Sequence, residues 1–326
     1  MYIISKGLSL IIILVRIILD RIGAYESMKH TFTGRTYSGD EITWRSKSIL
    51  SDLKIGFCEE CGFFHAHPYP SEDFLSEYYQ YYEIPCPLHS EERDRIARLL
   101  FKRVSPSSSI IDIGCGKGEM LSTLLAHGFK NLYGTEFGSM YDESKKLESI
   151  NVLPYNIVDL CDWCEKENKS FECAILINVF EHVPEPINLM KMIKKILSPD
   201  GILMFIVPND FSKLQAVYLE KTKMKPWFLI LPDHVNFFSL DTIDKVMEKA
   251  GYEVLHKTVQ YPLEFFLLQG DDYIAMPELG KICHHKRVEF ERSFTTTDKT
   301  SDLEAIYDAF ARVGIGRDMY IVARSV

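Results

Sequence analysis

Three glycines at alternate positions, Gly114, Gly116 and Gly118, follow an apolar run that ends in an acid, I-I-D-I-G-C-G-K-G over residues 110–118. Glycine tolerates positive φ and leaves the path of a ligand clear, so such a turn lets the backbone approach a bound molecule closely. A second acid, Glu136, ends the short run Asn131 to Glu136 one helix later. An acid in that place can accept hydrogen bonds from a ribose diol. The spacing G-x-G-x-G differs from the dinucleotide and P-loop patterns, which disfavours a nicotinamide oxidoreductase. Two histidines stand in informative strings, His182 in E-H-V-P-E-P and His234 in D-H-V-N-F-F-S. Histidine takes up a proton near neutral pH, so each is a candidate base. Each could equally be a structural histidine that caps a loop.

These residues need elements to hold them. Ile110, Ile111 and Ile113 suit a buried parallel strand, and Leu121, Leu124 and Leu125 open a helical pattern behind the glycines. Phe171 to Asn178 reads as a further strand, with Pro184 and Pro186 after it to start a helix. Leu189, Met192, Ile193, Ile196 and Leu197 keep helical spacing, Ser198 to Gly201 is a turn, and Ile202 to Val207 is the next strand. Ser239 is expected to cap a helix from Thr242 to Ala250 that stops at Gly251. Tyr252 to Val259 and the run ending at Ala323 complete the strands. Strands alternating with helices mean an α/β sheet with ligands at its carboxyl ends.

With these motifs in place, residues 90–260 resemble the class I S-adenosylmethionine-dependent methyltransferases. The resemblance implies a Rossmann-like seven-stranded sheet whose last strand is antiparallel. It implies S-adenosyl-L-methionine as cofactor, held by Asp112, Gly114, Cys115, Gly116, Gly118, Glu136 and Asn178, with Glu136 on the ribose hydroxyls. Methyl transfer is an in-line displacement that often needs a proton removed, and His182 and His234 are the candidates for that task. Some sugar C-methyltransferases carry Glu-His where this chain has Asp233-His234. The expected acceptor is a small polar molecule, a sugar or nucleotide-linked sugar first, methylated on oxygen or carbon. Nitrogen or lipid-linked acceptors are the alternative, and a non-catalytic cofactor-binding subunit is a third class.

Residues 58–61 read C-E-E-C and precede Gly62, half of a tetrahedral zinc site in which thiolates suit the ion. With the P-x-P and tyrosine-rich run that follow, the segment resembles the zinc-binding N-terminal part of sugar methyltransferases. Those usually carry a second C-x-x-C upstream, and this chain has no cysteine before Cys58. Either the site is lost, or other ligands join Cys58 and Cys61: His65 and His67 are nearest, and His30 is the only histidine further upstream. Tyr78, Tyr79, Tyr81 and Tyr82 read first as packing; in the related sugar enzymes a tyrosine here approaches the cofactor, which makes Tyr82 a candidate.

The 326 residues suffice for one large domain with additions, and 46% hydrophobic with 25% charged residues is an ordinary globular composition. A net charge of −9 without a basic cluster speaks against a nucleic-acid partner. Eight cysteines, one inside the glycine loop, do not read as a disulfide framework, so a reducing cytoplasm is expected. Residues 7–19 are largely apolar, too short for a spanning helix and without a cleavage site behind them. The expectation is a loosely attached helix that can lie on a membrane surface or partner; translation from Met28 would omit it. The expected organisation is an apolar segment at 1–27, a small module at 28–88, and a methyltransferase domain at 89–326. Within it, 208–235 and 261–315 are insertions that form a substrate lid.

Overall fold

The computed structural model describes residues 30–44, 53–71, 74–75, 78, 89–136 and 138–326. Tyr82, the apolar run 7–19 and Cys86 lie outside them. In chain order the elements begin with strands β1 (Phe32–Tyr37), β2 (Thr43–Trp44), β3 (Lys54–Cys58) and β4 (Phe63–His67). Then come α1 (Ser90–Phe101), β5 (Ser109–Ile113), α2 (Glu119–Ala126), β6 (Asn131–Thr135), α3 (Gly138–Ser144) and β7 (Asn151–Leu153). The middle holds α4 (Ile157–Lys166), β8 (Phe171–Ile177), α5 (Pro186–Ile196), β9 (Leu197–Pro208) and α6 (Lys213–Thr222). The rest is β10 (Ile230–Leu231), β11 (Asn236–Phe237), α7 (Ile243–Ala250), β12 (Tyr252–Val259), α8 (Glu264–Gln269), α9 (Pro277–Thr295), α10 (Thr300–Val313) and β13 (Asp318–Ser325).

Seven strands make the main sheet in the order β12-β13-β9-β8-β5-β6-β7. β13 runs antiparallel to both neighbours and the other pairs are parallel. This is the Rossmann-like sheet with an antiparallel last strand that the motifs implied. Both faces are covered, and the period of two shows it. Along β9, Leu203, Phe205 and Val207 join one apolar core, while Ile202, Met204 and Ile206 join the other. α4, α5 and α7 cover the first face; α1 and α2 cover the second. A fully buried Leu, Ile or Phe contributes about 1.5–3 kcal/mol, so these two layers supply the main driving force.

Helix ends follow local chemistry. α4 is capped by Asn156, whose side chain accepts from the amides of Val158 and Asp159. α5 starts with Pro186, and α7 stops at Gly251 with φ +82. The expected Ser239 cap is displaced: α7 begins at Ile243, and Thr242 takes the N-cap position without a side-chain cap bond. Ser239 instead forms a turn, its carbonyl accepting from the Ile243 amide at 3.0 Å.

The N-terminal strands are not closed on themselves. Their sheet has the order β1-β3-β4-β11, so it takes its last strand from the segment just before α7. β10 pairs with β2 in the same way. The third apolar cluster accordingly mixes Ile42, Leu53 and Ile55 with Phe228, Leu229, Leu231 and Phe237. Two segments far apart in sequence thus form one packed unit against the catalytic sheet.

α10 is fixed by a buried ion pair. Arg95 of α1 meets Glu304 with three contacts of 2.8–3.1 Å, and its guanidinium lies 4.6 Å over Tyr307 and 4.8 Å over Tyr320. Among the described residues no helix is long and apolar enough to cross a membrane, and all seven described cysteines are free.

Candidate active site and metal centre

β5 is buried along its whole length beside the central strand β8, and the glycine loop leaves its carboxyl end. Gly114, Gly116 and Gly118 all have positive φ, at +79°, +55° and +78°. Only glycine takes that backbone region without strain, which explains the triplet. A Cβ on Gly116 would meet nothing within 4 Å, so the loop bounds open space, while one on Gly118 would strike Leu147 at 2.4 Å. The amides of Gly114 and Cys115 both donate to the Thr135 carbonyl, at 3.0 and 3.1 Å. This pins the loop to the end of β6. The next residue is Glu136, 3% exposed, and its carboxylate accepts from the Gly116 amide at 2.7 Å. Loop and second acid are therefore one unit.

Asp112 is 2% exposed, and burial pushes its carboxyl up to about 7. Burial, then Asp112 and Glu136, raise the Cys115 thiol well above its ordinary value, so it is not a thiolate nucleophile.

Beyond the ends of β8 and β9 lies a cavity of about 410 Å³. Asn178, at φ +53 directly after β8, lines it, together with Glu181, His182 and His234. The two histidines that the sequence placed in separate strings meet here. Their rings are 4.9 Å apart and edge-on. His182 Nδ1 hydrogen-bonds to the Asp233 carbonyl, which makes Nδ1 the donor and leaves the Nε2 lone pair free of a proton. Burial lowers the His182 pKa, favouring the neutral ring. Its Nε2 is 3.7 Å from a Glu181 carboxylate oxygen.

Glu181 is the residue that sequence reasoning passed over. It is 1% exposed, lines the cavity, and its Oε2 has no hydrogen-bond partner among the described residues. Burial first, then the charges of Asp318 and Asp210, raise its carboxyl well above the usual range. It stood one position before His182 in E-H-V, which was the available signal. The opposite wall was also missed: Arg317 and Asp318 open β13, and Arg287 of α9 pairs with Glu92 of α1 at 2.9 Å. His284, which no motif marks, lines the same wall, its ring tilted against that of His89 at 4.1 Å. The helical stretch between β12 and β13 thus supplies cavity residues.

A second cluster sits at the Cys58–Cys61 knuckle. One donor atom each from His30, Cys58, Cys61 and His65 lie within 4.8 Å of one another. His30 Nδ1 is 3.5 Å from Cys58 Sγ and 3.6 Å from Cys61 Sγ. Zn–S bonds of about 2.3 Å and Zn–N bonds of about 2.0–2.1 Å place sulfur and nitrogen about 3.6 Å apart on a tetrahedral edge, so His30 and the two cysteines already have that spacing. His65 is fully buried; its Nδ1 bonds to the Ala66 carbonyl at 2.8 Å, and its Nε2 has no partner. A buried imidazole with one nitrogen anchored to a carbonyl and the other orphaned has the form of a metal ligand. The residues fit zinc. His67, the other nearby candidate, is exposed and stands outside the set.

Residues 86–257, more than half of the chain, match the family described as "Methyltransferase domain". The chain is also similar to the ubiquinone biosynthesis O-methyltransferases of Neisseria meningitidis. It is 28% identical to the serogroup C (strain 053442) protein over 178 residues, covering 52% of this chain and 71% of that one. To the serogroup A / serotype 4A (strain Z2491) protein it is 28% identical over 131 residues, covering 39% of this chain and 52% of the relative, so it spans about half of that relative's length. Among solved structures, the SAM dependent methyltransferase from Archaeoglobus fulgidus aligns over 72% of this chain and 94% of its own, at 14% identity and a TM-score of 0.44.

Proposed function

The chain belongs to the methyltransferase domain family, the class I S-adenosylmethionine-dependent methyltransferases, and from this we propose that it methylates oxygen or carbon of a small polar acceptor in the cavity beside Asn178. The observation that carries the proposal is the shared end of one sheet: the glycine loop with Glu136 on one side, and His182, His234 and Glu181 on the other. Bound S-adenosylmethionine supplies an electrophilic methyl group on a sulfonium sulfur. In this reading the methionine part lies in the open space at Gly116, and the Glu136 carboxylate accepts the ribose hydroxyls. We assign Asp112, Gly114, Cys115, Gly118 and Asn178 to the same cofactor site.

The acceptor's proton goes to a histidine as the new bond to carbon forms. His234, less buried than His182, is the first candidate, and His182, whose Nε2 faces Glu181 at 3.7 Å, is the second. A positioned base of this kind contributes about 10²–10⁴ in rate. The buried Glu181 can hold an acceptor hydroxyl in either protonation state.

A sugar or nucleotide-linked sugar is the acceptor we favour, because Glu92, Glu181, Arg287, Arg317 and Asp318 offer many polar partners in one cavity. An oxygen of a ubiquinone precursor is the second reading, supported by the similarity to ubiquinone biosynthesis O-methyltransferases. The test is transfer of a labelled methyl group to nucleotide sugars and to ubiquinone precursors in parallel. Stabilisation by S-adenosylhomocysteine and not by NAD is expected in a thermal shift; the reverse would overturn the proposal. We also assign structural zinc to His30, Cys58, Cys61 and His65, to be checked by metal analysis of the purified protein; a metal-free, fully folded protein would reject it.

A further inference from the structure

The knuckle and the catalytic loop meet through one carboxylate. Glu185 ends the segment that carries Asn178, Glu181 and His182, and it holds φ +56 as the N-cap of α5. Its Oε1 lies 3.2 Å from His30 Nε2, while His30 Nδ1 faces both cysteine sulfurs. One imidazole therefore stands between the catalytic segment and the four donors. A carboxylate that accepts the Nε2 proton leaves the Nδ1 lone pair directed at the sulfurs, the tautomer a metal requires. The other ligating histidine has its own route. His65 pairs across the strands with Asn236, whose Nδ2 donates to the carbonyls of Phe180 and Val183 at 2.7 Å each.

We propose that the metal centre is a strut for the catalytic loop, with Glu185 as the positioning residue that transmits it. The proposal rests on the zinc assignment above. An ion that bonds His30 fixes the ring, the ring fixes the Glu185 carboxylate, and Glu185 fixes the turn that aims Glu181 and His182 at the acceptor. Without the ion, His30 is held at the knuckle by weak contacts to sulfur, by ring contacts with His65 at 4.8 Å and His67 at 5.3 Å, and by ties beside it, such as the Glu59 amide to the Thr31 carbonyl at 3.1 Å. Linkage makes the effect mutual: Glu185 tightens metal binding by the factor by which metal favours the ordered loop.

The test uses the full chain, zinc alone as ligand, and two variants. Glu185→Asn tolerates the positive φ but is too short to reach His30; Glu185→Gln keeps the reach and an acceptor oxygen. Zinc affinity is read by competition with a chromogenic chelator, the ligand set by cobalt(II) absorbance, and loop order by hydrogen exchange over residues 178–188. In the wild type, stripping zinc is expected to raise exchange in that segment. Glu185→Asn is expected to bind zinc about 10–100-fold more weakly and to exchange fast there even when saturated, and Glu185→Gln to restore most of both. A cooperative thermal melt shows that the variants fold. Loop exchange indifferent to zinc in a zinc-binding wild type, or Glu185→Asn matching wild type in both readouts, overturns the strut. A wild type that binds no zinc fails earlier, at the stoichiometry, and removes the zinc assignment itself.

Discussion

Replacing Arg95 by alanine removes the clamp that holds the helices walling the cavity. Its guanidinium makes three contacts with Glu304, donates to the Val259 carbonyl at 2.7 Å and to Thr258 Oγ1 at 3.0 Å, and lies against Tyr307 and Tyr320. Both side chains are buried, at 7% and 12% exposure, so water cannot take the place of the lost donors. Removing one member of such a pair costs about 3–5 kcal/mol, because the other charge stays buried and uncompensated. At roughly 2–4 °C per kcal/mol, the melting temperature should fall by about 6–20 °C. Because Tyr307 of α10 hydrogen-bonds Glu291 of α9 at 2.6 Å, the loosening should reach Arg287 on the same helix. The acceptor KM should then rise while the affinity for S-adenosylhomocysteine stays unchanged. Arg95→Met combined with Glu304→Leu should recover more than half of the lost stability, since an apolar pair replaces the ions without leaving a charge. A loss below about 1 kcal/mol, the value of an exposed pair, would refute the reasoning. So would a double variant less stable than the single one.

Three further outcomes are expected. His234→Ala should lower turnover by about 10²–10⁴ with cofactor binding intact. If His182 is the base instead, His182→Asn shows that loss and the acid limb of kcat/KM in wild type falls below 6.5, since burial lowers its pKa; a limb above 6.5 excludes it. Gly116→Ala forces a side chain into φ +55 and should cost about 1–2 kcal/mol in stability. Its Cβ would enter the open space of the loop, so calorimetry should show a larger loss in S-adenosylhomocysteine affinity than that strain alone explains. Asp112 has its carboxyl pushed up to about 7 from 3.8, so the folded state binds the extra proton and loses stability as pH rises between those values. Asp112→Asn should therefore raise the melting temperature at pH 8, with the gain shrinking towards pH 4; a gain that grows on acidification would contradict the burial argument.

The sequence by itself determined what depends on neighbours in the chain. A strand, three alternating glycines and a helix are local events, so the glycine loop and the acid after the next strand were legible from periodicity and spacing. The same holds for the proline start of α5 and the glycine stop of α7. Tertiary structure decided everything that needs distant segments to converge. His30 and His65 complete the knuckle because β1, β3 and β4 pair side by side, and His67 is left out because two residues of strand carry it about 6.6 Å further from the cysteines. His182 and His234, in separate strings, become ring neighbours only when the Val235 and Asn236 amides bind the Glu181 carbonyl, at 2.8 and 3.1 Å. The charged wall of Glu92, Arg287, Arg317 and Asp318 draws on α1, α9, the turn before β13 and β13 itself, which no spacing rule relates. Charge buried by folding carries no periodic mark in a sequence, since its cost and its partners exist only once water has been removed.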